Sequence, residues 1–435
     1  MDACRPPRRR PARPRRRQSC PVPPQGDQLV TLLGFSDDRV AELAAAIADG
    51  PQPVDSDPVG WCEDLIARAA WSCVAEPGDG AAGGVVAAIG AATSLRLLTS
   101  SGATRRLRSL CAERGLEDVT EAVVAAWRSG AARWAARLDP TAVERSIDLA
   151  RRTGARLATP GAPSWPTRLD DLGVHGPTAL WVRGRRLAAE FDRSIALVGA
   201  RAATGYGEHV TMDAASGLVD RGFTVISGAA YGIDGAAHRA ALADGGTTVA
   251  FLAGGVDRPY PSGHTSLISR IAEVGAVYAE VPCGVAPTKW RFLQRNRLIA
   301  AASAATVVLE AGARSGSLNT AGHAASLGRP LGAVPGPVTS VASAGCHRLL
   351  REYHATCVTT AAEMAELVGP PVVVESAVGA TASAHVLGAL RLRRVTTVAE
   401  LVTTTGLTTR DVQSALGLLD LDGSVIERGD GWVRR

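Results

Sequence analysis

Aromatic residues are scarce in this sequence, at 4% of the chain. Alanine and glycine stand in their place, a composition that suits helices packed closely on a sheet. Cysteine occurs eight times but never as a Cys-x-x-Cys pair. That gives no indication of a zinc or thioredoxin-type site, and reduced structural thiols in a cytosolic protein are expected. No Gly-Lys-Ser or Gly-Lys-Thr occurs, so the phosphate loop of ATP-driven enzymes is missing. Long apolar runs are absent too. The uncharged apolar run at residues 298–309 falls well short of the ~18 residues that span a bilayer. The arginine-rich start lacks the apolar stretch that a secretory signal requires. The chain is therefore expected to be soluble and cytoplasmic, without membrane contact.

Basic charge is less general than the pI of 8.9 suggests. Residues 1–20 hold eight arginines and one aspartate, and without them 39 basic and 41 acidic residues remain. Any anion-binding surface must then be a local patch. With 435 residues, 46% of them hydrophobic, the chain can bury a full core and form several domains. Residues 1–28 mix Arg and Pro with little to bury. They are read as a disordered tail, solvated or arising from a misplaced start codon, rather than as a basic arm on nucleic acid. Residues 29–136 show short Ala-rich helical segments separated by Gly and Pro. They read as a small helical region, SAM-like or helix-hairpin-helix-like, with packing or partner contact as its expected role.

Residues 137–370 alternate strands with helices. Two strand candidates, 156–158 and 179–182, are expected to extend a sheet edge. Further strands are expected at 194–198, 224–226, 247–252, 276–280, 306–309 and 331–334, and helices at about 207–220, after Gly232 and at 296–302. Such alternation specifies a parallel sheet wound with helices, whose ligands sit outside the carboxyl ends of the strands.

The turns at those ends carry the chemistry. Gly199-Ala200-Arg201 places a guanidinium where a dinucleotide fingerprint needs its second glycine, which disfavours a nicotinamide cofactor. Arg201 can instead hold a phosphate bidentately, with Thr204 and Gly207 opening the next helix. Ser227 and Gly228 follow a strand and precede a helix start, a ready anion seat. In the run KWRFLQRNR, Lys289, Arg291, Arg295 and Arg297 surround Trp290 and Phe292. Charges for a backbone and ring faces for unstacked bases are what single-stranded nucleic acid requires. The alternative is that both rings pack into the core while the cations face water. Ser315, Gly316, Ser317 and Thr320 form a hydroxyl-rich phosphate seat at another helix start. No carboxylate pair, His–Cys pair or metal cluster assembles around these turns. Asp234 and Glu310 are better explained by capping or helix–sheet packing, and His238 by helix packing or capping. The site reads as one that binds rather than reacts, with no catalytic residue, metal or cofactor.

Residues 371–383 read as a linker. Residues 384–435 then run helix, helix, turn, helix and hairpin. Thr397 precedes one helix, Gly406 makes the turn, and Thr409 caps the last helix. This is a winged helix-turn-helix pattern with few base-reading side chains.

Together, VGAR with Thr204 and Gly207, SGAAYGIDGAAH, LAGGVDRPYP, RFLQRNRLIA, SGSLNTA and AVPGP resemble the DNA-processing protein A family (DprA, also called Smf). The resemblance is close from Ala155 to about Gly369 and looser from His385. It implies an α/β protein: an extended Rossmann-like parallel sheet flanked by helices, with a small helical N-terminal domain and a C-terminal winged helix. It also implies single-stranded DNA binding, a homodimer formed through the Rossmann-like domain, and loading of a RecA-type recombinase during natural transformation, without turnover. By the same resemblance the DNA pocket falls on Arg201, Ser227, Gly228, Lys289, Phe292, Arg295, Asn296, Arg297 and the SGS turn. Phe292 would sit against a base and Arg201 on a phosphate. Three positions depart from the pattern. Tyr231 stands where many members carry Arg, His347 follows GC in place of a commoner Asn, and Trp165 replaces Tyr before Pro166. The rival reading is a nucleotide-hydrolysing enzyme similar to the Rossmann-like phosphoribohydrolases. Those carry P-G-G-x-G-T near a catalytic Glu, whereas this chain has EAGARSGSLNT there, with Glu310 before the turn and no PGG.

Overall fold

The computed structural model describes residues 32–54, 56–369, 385–390, 395–421, 423–429 and 431–434. The tail read at 1–28 and the linker read at 371–383 lie outside them. The first helices are α1 (Asp37–Ile47), α2 (Pro58–Val74), α3 (Gly80–Ile89), α4 (Ala91–Leu97), α5 (Ala103–Glu113), α6 (Thr120–Arg137) and α7 (Pro140–Thr153). Four of their starts follow from local chemistry. The side chains of Ser36, Asp57, Asp79 and Asp139 accept backbone N–H groups at the N-caps. Pro58 and Pro140 occupy first turns, where the missing N–H costs nothing. Trp71 packs edge-on to Trp134 at 5.3 Å between ring centroids, and Trp127 joins at 6.3 Å.

The strands are β1 (Arg156–Ala158), β2 (Leu180–Gly184), β3 (Ser194–Val198), β4 (Thr224–Ser227), β5 (Thr248–Leu252), β6 (Ala276–Ala279), β7 (Ala305–Val308), β8 (Leu331–Ala333) and β9 (Thr356–Cys357). They form one sheet in the order β1-β2-β6-β5-β4-β3-β7-β8-β9. β1 and β2 extend one edge by antiparallel pairing, as expected, and every pair from β6 to β9 is parallel. Helices α8 (Gly205–Asp220), α9 (Ile233–Ala243), α10 (Thr265–Val274), α11 (Lys289–Ala302), α12 (Ser317–Ser326), α13 (Ala344–Glu352) and α14 (Ala361–Glu366) complete the Rossmann-like architecture.

Strands β3 to β8 are buried at every residue, which explains their unbroken apolar runs. Alternate side chains still separate into two cores. Ala250 and Leu252 join a core shared with the N-terminal helices, and Val249 and Phe251 join the core on the other face. Leu157 and Trp181 of the edge strands belong to the helical core, and Trp181 Nε1 donates to Ser72 Oγ at 3.1 Å. The helices and the sheet therefore form one compact unit up to Met364, with a second from Ala365. The boundary read at 136/137 falls inside the last turn of α6.

Several elements differ from expectation: β9, α13 and α14 follow the strand at 331–333, which the sequence reading took as the last. α11 begins at Lys289 rather than Asn296, because Thr288 Oγ1 caps it by accepting the Arg291 N–H at 3.3 Å. α10 was not anticipated; it buries Ile268, Ile271 and Ala272 between β5 and β6. β3 has β4 on one side and β7 on the other, so the winding reverses between β3 and β7. A crevice opens outside the carboxyl ends at such a point.

The second unit contains a short helix over 385–389, helices Val398–Thr405 and Thr409–Leu421, and an antiparallel hairpin of Val425–Arg428 with Gly431–Arg434. Thr397 and Glu400 cap each other reciprocally at the first long helix, and Gly406 ends it in the left-handed region at φ 70°. Thr408, not Thr409, caps the next helix, its Oγ1 accepting the Asp411 N–H at 3.2 Å. Among the described residues no single helix is long and apolar enough to cross a membrane.

Candidate functional site

The crevice at the β3/β7 reversal is a cleft of about 880 Å³. Its walls come from the turn after β3, the first turns of α11 and the loop entering α12. Gly199, Arg201, Lys289, Phe292, Arg295, Asn296, Ser315, Gly316, Ser317 and Thr320 all line it. These ten come from three separated stretches of sequence, and the sheet brings them together.

α11 divides its cations by helical face. Lys289, Phe292, Leu293 and Asn296 repeat at three and four residues and turn into the cleft. Arg291 and Arg297 are turned away from it, each to its own carboxylate. Arg291 pairs with Glu76 at 3.2 Å, and Arg297 holds both oxygens of Glu280 at 2.7 Å each. Arg297 is therefore an internal ion pair and does not line the cleft, contrary to the sequence reading. Phe292 is half-buried on the cleft wall, and Trp290 is exposed outside it. Neither ring is lost to the core.

Arg295 is buried and serves the architecture. Its guanidinium donates to the carbonyls of Gly228 and Phe251, tying the ends of β4 and β5 together. Burial holds its pKa down at about 10, so it remains a cation at neutral pH. Burial likewise raises the Asp234 carboxyl, opposed chiefly by Arg295. Asp234 Oδ2 accepts the N–H groups of Gly228 and Ala230, at 3.1 and 3.4 Å. This accounts for the carboxylate at the start of α9. Asn296 Nδ2 reaches Asn319 Oδ1 at 3.3 Å and the Gly316 carbonyl at 3.4 Å, fixing the loop before α12.

Three other expected residues stand outside the cleft lining. Ser227 is fully buried and donates its hydroxyl to the Leu197 carbonyl at 2.6 Å. The Gly228 N–H is taken by Asp234, and a side chain at Gly228 would collide with the Arg295 guanidinium. Thr204 caps α8 and donates its hydroxyl to Glu310 Oε1 at 2.6 Å, while its N–H meets Glu310 Oε2 at 2.8 Å. Both Glu310 oxygens are thus spent on holding the β3 turn, and the Glu310 carbonyl accepts the Ala200 N–H at 2.7 Å. His238 is equally internal. The hydroxyl hydrogen of Thr248 goes to the Val225 carbonyl, so His238 Nδ1 is the donor in their 2.7 Å contact.

The cleft also holds residues that motif reading did not select. Tyr260 packs on Phe292 at 5.5 Å between centroids, tilted by 56°. Arg201 covers the same ring, its guanidinium carbon 4.7 Å from the centroid. Arg314 enters from the loop before α12. The signals were there, in Arg-Pro-Tyr-Pro after β5 and in the arginine directly before Ser-Gly-Ser. The result is an aromatic pair with a guanidinium over one ring, in a cleft also lined by Lys289, Arg314 and the hydroxyl residues Ser315, Ser317 and Thr320. Such a surface suits a flat heterocycle joined to phosphate. Among the described residues no group of three or more potential metal-binding side chains forms a metal cluster.

A family model described as DNA recombination-mediator protein A matches residues 156–369. A putative DNA processing protein DprA of Mycobacterium tuberculosis is 46% identical over 307 residues, covering 66% of this chain and 78% of that protein. The chain belongs to the DNA recombination-mediator protein A family. The DNA processing protein DprA of Streptococcus pneumoniae is 38% identical over 188 residues, 43% of this chain and 66% of that one. The X-ray structure of S. pneumoniae DprA matches 71% of this chain and 97% of its own, with a TM-score of 0.53 and 25% identity. Membership of the DprA family places the chain in DNA processing. The region matched by the family model contains every strand and loop that builds the cleft.

Proposed function

We propose that this DprA-family chain binds single-stranded DNA in the β3/β7 cleft without chemical turnover and delivers it to a RecA-type recombinase during DNA uptake. It acts in the cytoplasm as a homodimer formed through the Rossmann-like unit, with the C-terminal unit as a winged-helix docking module. The observation that carries this reading is the stack of Arg201, Phe292 and Tyr260 at the cleft wall. A base stacks on rings and on guanidinium planes alike, and does so with little sequence preference. Lys289 and Arg314 supply charge for the backbone in the same cleft. The rival reading, nucleotide hydrolysis, needs a carboxylate free to act in the cleft. Glu310 has both oxygens bound by Thr204, and Asp234 is held by two backbone N–H groups.

The test is fluorescence anisotropy on labelled oligonucleotides, single-stranded beside duplex, at several salt concentrations. Salt-sensitive preference for the single strand, lost in Phe292→Ala and retained after removal of residues 1–28, is the expected result. Equal binding of both forms would sink the stacking site. Release of free base from nucleoside monophosphates would transfer the case to the hydrolase. A positive result is followed by a recombinase filament-nucleation assay on the same strand.

A further inference from the structure

Five of the eighteen aromatic residues are strongly exposed, and one of these sits beside the cleft with no role in the stack just described. Tyr231 has 48% of its surface in solvent. Among the described residues it makes no hydrogen bond; its ring meets His264 edge-on at 4.8 Å between centroids and lies along the backbone of Gly263.

The loop that carries it is fixed from several sides. Asp234 accepts the N–H groups of Gly228 and Ala230, and Arg295 donates to the Gly228 carbonyl. His264 is buried, with Nδ1 3.0 Å from the Ala229 carbonyl and Nε2 3.5 Å from Arg239 Nη1. Ala229 is left-handed at φ 55°, and Gly232 follows Tyr231 at φ 75°. A side chain at Gly232 would strike the carbonyls of Ala200 and Arg201. A non-glycine residue in the left-handed region is held there only when its surroundings over-determine it. The ring is therefore presented at a set position.

That position adjoins the cleft. Ala230, the preceding residue, lines it, and the Ile233 N–H donates to the Ala200 carbonyl at 3.2 Å, next to Arg201. The segment 260–264 joins the two ring pairs, with Tyr260 on Phe292 at one end and His264 on Tyr231 at the other. Five residues reach at most about 18 Å when extended. One short oligonucleotide can meet both.

We propose that Tyr231 is a second base-stacking platform, so that a strand seated on Phe292 places a further base on Tyr231. This rests on the single-strand reading of the cleft. Its signature is affinity without charge, because a stacked ring contributes to binding but contacts no phosphate. The test uses labelled oligothymidylate of roughly twelve residues, within the ~4–16 nucleotides that such sites cover. Tyr231→Ala is expected to weaken binding about 5- to 150-fold, with an unchanged slope of log affinity against log salt. Tyr231→Trp is expected to keep the affinity. In a scan with single abasic positions, the unaltered chain shows two sensitive positions and Tyr231→Ala shows one. Undiminished binding by Tyr231→Ala, beside clear loss in Phe292→Ala, overturns the second platform and leaves the first standing. A weakened and flattened salt response in Tyr231→Ala overturns it too, by assigning the loop to phosphate. No binding by the unaltered chain overturns the single-strand reading and this inference with it.

Discussion

The guanidinium carbon of Arg201 lies over the ring of Phe292, 4.7 Å from its centroid, the cation coming from the turn after β3 and the ring from the first turns of α11. A cation placed over a ring is attracted by the ring's quadrupole, and a planar one offers a second stacking surface. Arg201→Ala is expected to lower single-strand affinity and to reduce the salt slope by about 0.7, the value for one phosphate on a single strand. Phe292→Ala is expected to lower affinity roughly 5- to 150-fold with the slope unchanged. The double variant should lose less than the product of the two, since residues in contact are not additive. Anisotropy titrations across salt check all three, and a strictly multiplicative loss would separate the two side chains.

The faces of α11 make a second contrast. Lys289→Ala and Arg314→Ala should each flatten the salt response, because both cations line the cleft. Arg291→Ala should leave binding untouched, since its charge is turned to Glu76. Equal effects from Lys289→Ala and Arg291→Ala would show that general charge, not the cleft wall, holds the strand.

Arg297 belongs to stability. Its side chain is 4% exposed and that of its partner Glu280 14%. Removing one member of a buried pair strands the other, at a cost of about 3–5 kcal/mol. Arg297→Ala is expected to lower the urea midpoint strongly while its folded fraction still binds. A variant as stable as the unaltered chain would contradict the ion-pair role.

Acid should unfold the protein in part through His238. Burial, helped by the nearby His264, Arg295 and Arg239, pushes its pKa down to about 3, against ~6.5 when unfolded. Between those values the unfolded chain binds a proton that the folded one refuses. Stability from this group is therefore complete above about pH 6.5 and falls as pH drops, by up to about 1.4 kcal/mol per pH unit. His238→Gln should remove this part of the slope, read from denaturation midpoints between pH 7 and 4. An unchanged slope would place the acid sensitivity elsewhere.

The order of strands and helices was legible because each strand is an unbroken apolar run ending in a Gly-, Ser- or Arg-rich turn. Arg201 and Lys289 were legible as cations set directly at a strand end and a helix start, and Phe292 as a ring set among cations. Ser227, Thr204 and Arg297 were misread for the opposite reason. Their partners, Leu197, Glu310 and Glu280, sit at distances in sequence that motif reading does not cross. The extent of α11 was missed through its capping threonine, and that hid the facing that separates Lys289 from Arg291. Tyr260 entered the site only through the sheet, which brings the end of β5 beside α11.

Lys289 is the chain's only lysine, and it stands at the cleft wall. Every other side-chain cation fixed at neutral pH is an arginine, inert to reagents that acylate amines. Apart from the amino terminus, such a reagent has one target, and that target lies where the strand is proposed to run. Shielding of this single amine by an added oligonucleotide would report occupancy of the cleft in the unaltered protein, with no reporter group introduced.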